Sequence, residues 1–193
     1  MEVTAGVNWF HWADLRWNCG HRRGSPRTGR ALTKVNSTDT QRHASHGEEL
    51  LRKRFATPDV PATVTISDTV AHYLESLDFF FIATSNREGE CDSSYRGKRE
   101  GVLAVKVLDD KTIIFPDYAG NGSFRSLGNI LDNPHIGMLF MDLRTGVRMR
   151  VNGDAEISED PAWRKIFPGS LQTVKVTVRE VYKQNRPVPI SNK

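Results

Sequence analysis

Short apolar segments separated by tight turns fill residues 78–182, and this spacing limits the chain to few folds. Turn-forming residues occupy 86–89, 109–110 and 144–146, between consecutive apolar segments. Many short strands joined by such turns favour a small antiparallel β-barrel. We therefore predict a mainly β fold with a few helices, with strands over 78–85, 90–96, 101–108, 112–115, 135–142, 147–158 and 173–182.

Helical patterns interrupt these strands at a few places. Ser67 is a typical N-cap residue, and Val70, Tyr73, Leu74 and Leu77 follow it at helical spacing. Further short helices are predicted over 48–55, from residue 123 and after residue 160.

The chain has 193 residues, enough for one domain with a sizeable core. Residues 1–60 differ from the rest, because Trp9, Trp12 and Trp17 lie there among Gly, Arg, Ser and Thr with no sustained apolar period. We predict that 1–60 is a disordered basic tail, removable without loss of folding, and that 61–193 is the folded domain. The alternative is a basic, aromatic segment that stacks on nucleic acid.

The charge distribution and the cysteine content limit which binding partners and which cellular compartment we expect. The formal net charge of +4 is concentrated in the tail, so it does not indicate a nucleic-acid partner for the rest of the chain. No apolar run approaches the ~20 residues that span a membrane. The N-terminal region lacks a secretory-signal pattern and resembles a mitochondrial transit peptide only weakly. Cys19 and Cys91 give no disulfide framework, and we expect a cytoplasmic protein without a membrane partner.

Several kinds of site have no signature in the sequence. The six histidines show no metal-ligand spacing, so no metal site is predicted. Walker-type, dinucleotide-binding and Gly-x-Ser-x-Gly motifs are also missing from the sequence.

An anion site is predicted where the strand over 112–115 runs into a polar loop and then a helix. Backbone N–H groups at such a helix start can bind a phosphate. Arg125 would add a planar guanidinium, and Ser123 or Ser126 a hydroxyl; Asn129 shares the polar side of the helix. The pattern alone favours the alternative, a surface helix with a solvated polar face.

Basic residues on two strands are the other candidates for a phosphate contact. Arg96 and Lys98 flank Gly97 at a strand end, where the glycine lets the backbone approach a ligand. An ordinary basic strand end is an equal alternative. Lys106 lies between Val105 and Val107, and alternation by itself would place it towards solvent.

Six short motifs follow one another in a characteristic order. Together they resemble the FMN-binding split-barrel proteins of the pyridoxamine 5'-phosphate oxidase family, and more narrowly a subgroup of small uncharacterised members, over residues 78–157. Any one of the motifs alone is weak. They are Arg96-Gly97, Phe115-Pro-Asp-Tyr-Ala-Gly-Asn121, Ser126-Leu-Gly-Asn129, Asn133-Pro134, Phe140-Met-Asp142 and Asn152-Gly153.

The resemblance implies a six-stranded antiparallel split barrel, a homodimer, and FMN bound non-covalently at the dimer interface. It assigns no catalytic acid or base. The cofactor-binding residues that it implies, with neighbours added from their spacing, are Arg96, Gly97, Lys98, Lys106, Phe115, Pro116, Asp117, Tyr118, Asn121, Arg125, Ser126 and Asn129.

The chain departs from the family pattern at three places. Gly122 occupies a position where the subgroup has a basic residue, and Tyr95-Arg-Gly-Lys98 replaces His-Arg-Gly-Gly. Residues 185–193 lack the Arg- and Trp-bearing segment that binds pyridoxal phosphate in genuine pyridoxamine phosphate oxidases. We therefore expect an FMN-dependent oxidoreductase acting on an unknown small substrate, with NAD(P)H as a candidate donor, and not the vitamin B6 reaction. The alternatives are a non-enzymatic flavin- or haem-type binding protein and a nucleic-acid binder acting through the tail.

Overall fold

The structure is a computed structural model that describes residues 44–56, 62–120 and 122–184. The predicted domain boundary near residue 60, the greater part of the predicted tail and Asn121 lie outside the described residues. Within the described part of that tail, residues His46–Phe55 form helix α1, which starts at the N-cap Ser45 and buries none of its residues.

The described residues form four helices and seven strands. No helix among them is long and apolar enough to cross a membrane. After α1 (His46–Phe55), the elements in chain order are α2 (Asp68–Ser76), β1 (Phe79–Ser85), β2 (Cys91–Gly97), β3 (Lys106–Val107), β4 (Thr112–Asp117), α3 (Arg125–Asp132), β5 (His135–Met141), β6 (Arg148–Ser158), α4 (Pro161–Ile166) and β7 (Gln172–Gln184).

All seven strands belong to one curled antiparallel sheet with the order β2-β1-β5-β6-β7-β4-β3. The predicted fold class, a mainly β antiparallel split barrel, is confirmed. The six strands implied by the resemblance are one too few, whereas the seven segments predicted from the apolar pattern match the observed number. The two-residue strand β3, which pairs with Ile113 and Ile114 of β4, is the additional strand. Most of the strand predicted over 101–108 is a loop, since Gly101 has a φ of 72° and Val102 N–H donates to the Arg99 carbonyl.

Three phenylalanines join strands from different parts of the sheet in the core. The Phe80 ring of β1 stacks on Phe140 of β5 with centroids 4.9 Å apart, and meets Phe115 of β4 edge-on at 5.5 Å. All three side chains are fully buried. Such pairs each add roughly 0.5–1.5 kcal/mol beyond their buried area, so they hold β1, β4 and β5 around one centre.

The neighbours of Phe80 point the other way because side chains alternate along a strand. Phe79 and Phe81 lie on the outer face of the sheet, where Tyr95 of β2 joins them. Tyr95 stacks on Phe79 at 5.4 Å and meets Phe81 edge-on at 6.0 Å. These three rings form a partly exposed cluster, named the aromatic patch below.

Helix α3 packs its apolar side on the inner face of the sheet. Leu127 and Ile130 are buried there, and Asn129 Nδ2 donates to Thr84 Oγ1 of β1 at 3.2 Å. The helix begins at Arg125, two residues later than predicted. The residue before it, Phe124, has a left-handed backbone with a φ of 47° and provides no side-chain cap. Helix α3 therefore starts without the usual hydroxyl or carboxylate N-cap.

Gly153 marks a register shift between β6 and β7 and cannot carry a side chain. A Cβ atom at this position would lie 2.3 Å from the carbonyl oxygen of Thr177. The obstacle is backbone of the neighbouring strand, so a rotamer change cannot relieve it. We expect Gly153→Ala to lower the free energy of unfolding by about 2–3 kcal/mol, as overpacked cores do. Urea denaturation followed by circular dichroism measures this value.

Gly128→Ala is the matched control, because the same added methyl meets nothing within 4 Å on helix α3. Replacing a helical glycine by alanine stabilises a helix by about 0.5–1 kcal/mol. Equal effects of the two substitutions would contradict the close approach at Gly153.

Candidate functional site

A cavity of about 240 Å³ lies between β2, the end of β4 and the first turn of α3. We call it the β2–α3 cavity. Its walls combine charged, hydroxyl and aromatic side chains with a glycine-containing loop. The lining residues are Asp92, Ser94, Tyr95, Arg96, Asp117, Tyr118, Gly120, Gly122, Ser123, Phe124, Arg125, Ser126 and Leu127.

Arg96 and Asp117 form a partly buried ion pair on one side of this cavity. Arg96 Nη1 lies 2.9 Å from Asp117 Oδ1, and the two side chains are 17% and 8% exposed. Gln172 Nε2 donates to the other carboxylate oxygen at 3.4 Å. The Arg96 guanidinium also lies over the Phe115 ring, while its buried Nε has no partner within the described chain. Asp117 therefore fixes Arg96, yet leaves it able to donate further hydrogen bonds.

Ser126, in the first turn of α3, is hydrogen-bonded to strand β2. Its hydroxyl donates to Asp92 Oδ2 at 2.8 Å, and its oxygen lies 2.7 Å from Ser94 Oγ. Ser126 is only 4% exposed. Because Ser126 has one hydroxyl hydrogen and gives it to Asp92, Ser94 is the donor to Ser126.

The start of helix α3 offers free donors to the cavity. The N–H groups of Arg125, Ser126 and Leu127 have no acceptor among the described residues. The exposed Arg125 side chain likewise makes no ion pair within the described part of the chain. These groups form a positive end that favours anions.

Tyr118 closes the cavity on the side of the loop that follows β4. The Arg99 guanidinium lies 3.8 Å from the centre of its ring. Burial raises the pKa of Tyr118, and the positive charge of Arg99 opposes this rise only in part. The phenol therefore stays protonated at neutral pH, and its buried Oη, which has no partner among the described residues, remains a hydrogen-bond donor.

Several residues predicted from the sequence do not line the cavity. Lys98 pairs with Asp78 at the surface. Lys106 Nζ lies 3.0 Å from Glu75 Oε1, so it ties β3 to helix α2 while its side chain stays 38% exposed.

Others among the predicted residues have structural contacts near the cavity. Phe115 is in the core, Pro116 is buried, and Asn129 contacts β1 through Thr84. Gly97 lies under the ring of Tyr95, where a Cβ would be 2.6 Å from the phenol oxygen.

Asp92, Ser94 and Arg99 belong to the site but were not predicted. Asp92 and Ser94 share a side of β2 with Arg96, so the two-residue period of a strand was a signal that could have found them. No such pattern marks Arg99, because it lies in a loop and reaches Tyr118 only through the tertiary fold.

Comparison of the sequence with known protein families identifies the family of this chain. A sequence profile described as pyridoxamine 5'-phosphate oxidase matches residues 66–185, well over half of the chain. No curated protein matches the chain.

Solved structures resemble this fold at low sequence identity. HupZ from Group A Streptococcus is 19% identical, with a TM-score of 0.50, over 64% of this chain and 97% of that one. A predicted pyridoxamine 5'-phosphate oxidase from Lactobacillus delbrueckii is 18% identical over 62% and 95% of the chains, with a TM-score of 0.49. An FMN-binding protein from Syntrophomonas wolfei is 12% identical over 72% and 97%, with a TM-score of 0.43. The likeness to HupZ shows the fold alone.

Removing Asp117 should cost far more stability than removing a surface acid. We expect Asp117→Ala to lower the free energy of unfolding by about 3 kcal/mol, because it leaves the Arg96 charge buried without its partner. Asp78→Ala is the control, since it breaks the half-exposed pair with Lys98 and should cost at most about 1 kcal/mol. Urea denaturation of both variants measures the two losses in the free energy of unfolding. Similar losses would mean that the Arg96–Asp117 pair is solvated in the folded protein.

Proposed function

Because the chain belongs to the pyridoxamine 5'-phosphate oxidase family, we propose that it is an FMN-binding flavoprotein that carries out oxidation–reduction of a small substrate. The observation that carries the proposal is the β2–α3 cavity, where Arg125, Arg96 and the free N–H groups of α3 meet. Arginine forks and helix starts are the groups that bind a phosphate monoester most readily.

The residues present fit the phosphate-bearing end of such a ligand. Arg125 has no competing ion pair among the described residues, and the buried Arg96 Nε and Tyr118 Oη lack partners there. A polar ligand that reached these two atoms would remove the cost of burying them unpaired. The Asp117 carboxylate does not prevent phosphate binding, because its negative charge is paired with Arg96 at 2.9 Å.

The size of the cavity supports a homodimer. Pockets that hold a whole small molecule measure roughly 300–1,000 Å³, and the β2–α3 cavity of one chain measures about 240 Å³. Tyr95 belongs both to the cavity and to the aromatic patch. We propose that a second copy covers the patch and supplies the remaining wall of the cofactor site, since exposed apolar clusters favour association.

FMN, when bound, would supply the electron chemistry, and the protein would bind and orient it. In that arrangement Asp117 would hold Arg96 towards the ligand, and the neutral Tyr118 phenol would donate a hydrogen bond to it. The proposal assigns no general acid or base. NAD(P)H is the proposed electron donor.

Flavin fluorescence titration tests the proposal. We expect purified protein to bind FMN in preference to FAD, because the described residues form one phosphate-type site. Absence of FMN binding at tens of micromolar would overturn the proposal. FMN binding without NAD(P)H oxidation, across a panel of acceptors, would favour a non-enzymatic flavin-binding protein.

Arg125→Ala is expected to weaken FMN binding by ~1.5–3 kcal/mol, the range for hydrogen bonds to charged groups. Riboflavin, which lacks the phosphate, should lose far less. Arg144→Ala is the control, since Arg144 is a highly exposed turn residue that does not line the cavity. Equal weakening of both flavins would show that Arg125 acts through folding.

Light scattering should give twice the chain mass for the protein with FMN bound. Phe81→Asp places a charge in the aromatic patch, where Phe81 is 38% exposed, and should produce a monomer with weaker FMN binding. Leu131→Asp is the control, because Leu131 is 72% exposed on helix α3 and is not part of the patch. A monomer mass for the unchanged protein with FMN bound would contradict the dimer.

A further inference from the structure

The β2–α3 cavity has an unusual charge balance for a phosphate site. Two arginines and two aspartates line it, so their formal charges cancel. The two carboxylates differ in their partners. Asp117 is paired with Arg96, whereas Asp92 accepts its hydrogen bond from the uncharged hydroxyl of Ser126. No ion pair of Asp92 occurs within the described chain.

Asp92 also lies beside the helix start that a phosphate would use. It lies against the first turn of α3, where the residue before the helix, Phe124, provides no cap. A carboxylate at this end of a helix is stabilised by the free N–H groups and the helix dipole. The only hydroxyl hydrogen of Ser126 is turned towards Asp92 and is therefore unavailable to a ligand in this arrangement.

We propose that Asp92 is a specificity-determining residue of the flavin site, which holds the Ser126 hydroxyl and opposes a doubly charged phosphate. This inference rests on the proposed function. Arg125 attracts the phosphate while Asp92 repels it, so the phosphate adds little net affinity. The cavity then discriminates only weakly between FMN and riboflavin, with binding constants within about tenfold, a difference of about 1.4 kcal/mol.

Asp92→Asn is the sharpest test, because the amide oxygen still accepts from Ser126 while the charge is removed. We expect fluorescence titration to show FMN binding about tenfold tighter than in the unchanged protein, from relief of a like-charge repulsion. Riboflavin binding should change by no more than about twofold, since it carries no charge for Asp92 to repel. Asp132→Asn removes the same charge from the far end of helix α3 and should change neither flavin.

Each outcome is decisive. Unchanged FMN binding in Asp92→Asn, or an equal gain for FMN and riboflavin, overturns the role of Asp92 and leaves the flavoprotein proposal intact. An unchanged protein that already prefers FMN over riboflavin by more than about a hundredfold also overturns it. Failure of every variant to bind any flavin overturns the proposed function itself. Should Asp92→Asn not fold, Asp92→Ser removes the carboxylate and carries the same expectation.

Discussion

The ion pair between Arg96 and Asp117 joins two strands that the sheet order keeps far apart. Arg96 lies on β2, the first strand in the hydrogen-bonded order, and Asp117 lies on β4, the sixth. The two side chains can touch only if the sheet curls back on itself. The Phe80–Phe115 contact makes the same connection in the core, between β1 and β4. Together these contacts set the curvature that brings β2, β4 and the start of α3 around one cavity.

A partly buried ion pair adds little net stability, because desolvation of the charges offsets their attraction. Here the ion pair matters because it fixes the position of the Arg96 side chain. Arg96 reaches the cavity with its Nη1 held by Asp117 and its guanidinium carbon 5.9 Å from the centre of the Phe115 ring. A guanidinium held in this way loses little further freedom when it binds a planar or tetrahedral anion.

Local pattern predicted the elements of the fold well, since Ser67 caps α2 and the strands fall close to their expected ranges. The alternation in β2 is enough to group Asp92 and Ser94 with Arg96. Other features depend on tertiary contacts that no local pattern contains. Lys106 meets Glu75 of a distant helix, and Phe124 takes a left-handed backbone that its residue type disfavours. The charge balance of the cavity follows from the same long-range contacts.

The pairing of β4 with β7 has a consequence for how the chain folds during synthesis. Asp117 pairs with Gln172, 55 residues later. At roughly 5–20 residues per second, the ribosome leaves β4 without its partner for several seconds. During that interval β4 has only the short strand β3 beside it. Its residues Ile113, Ile114 and Phe115 are fully buried in the folded protein. Strand β7, the last one described, therefore closes the barrel, and until it is made the nascent chain exposes the apolar side chains of β4.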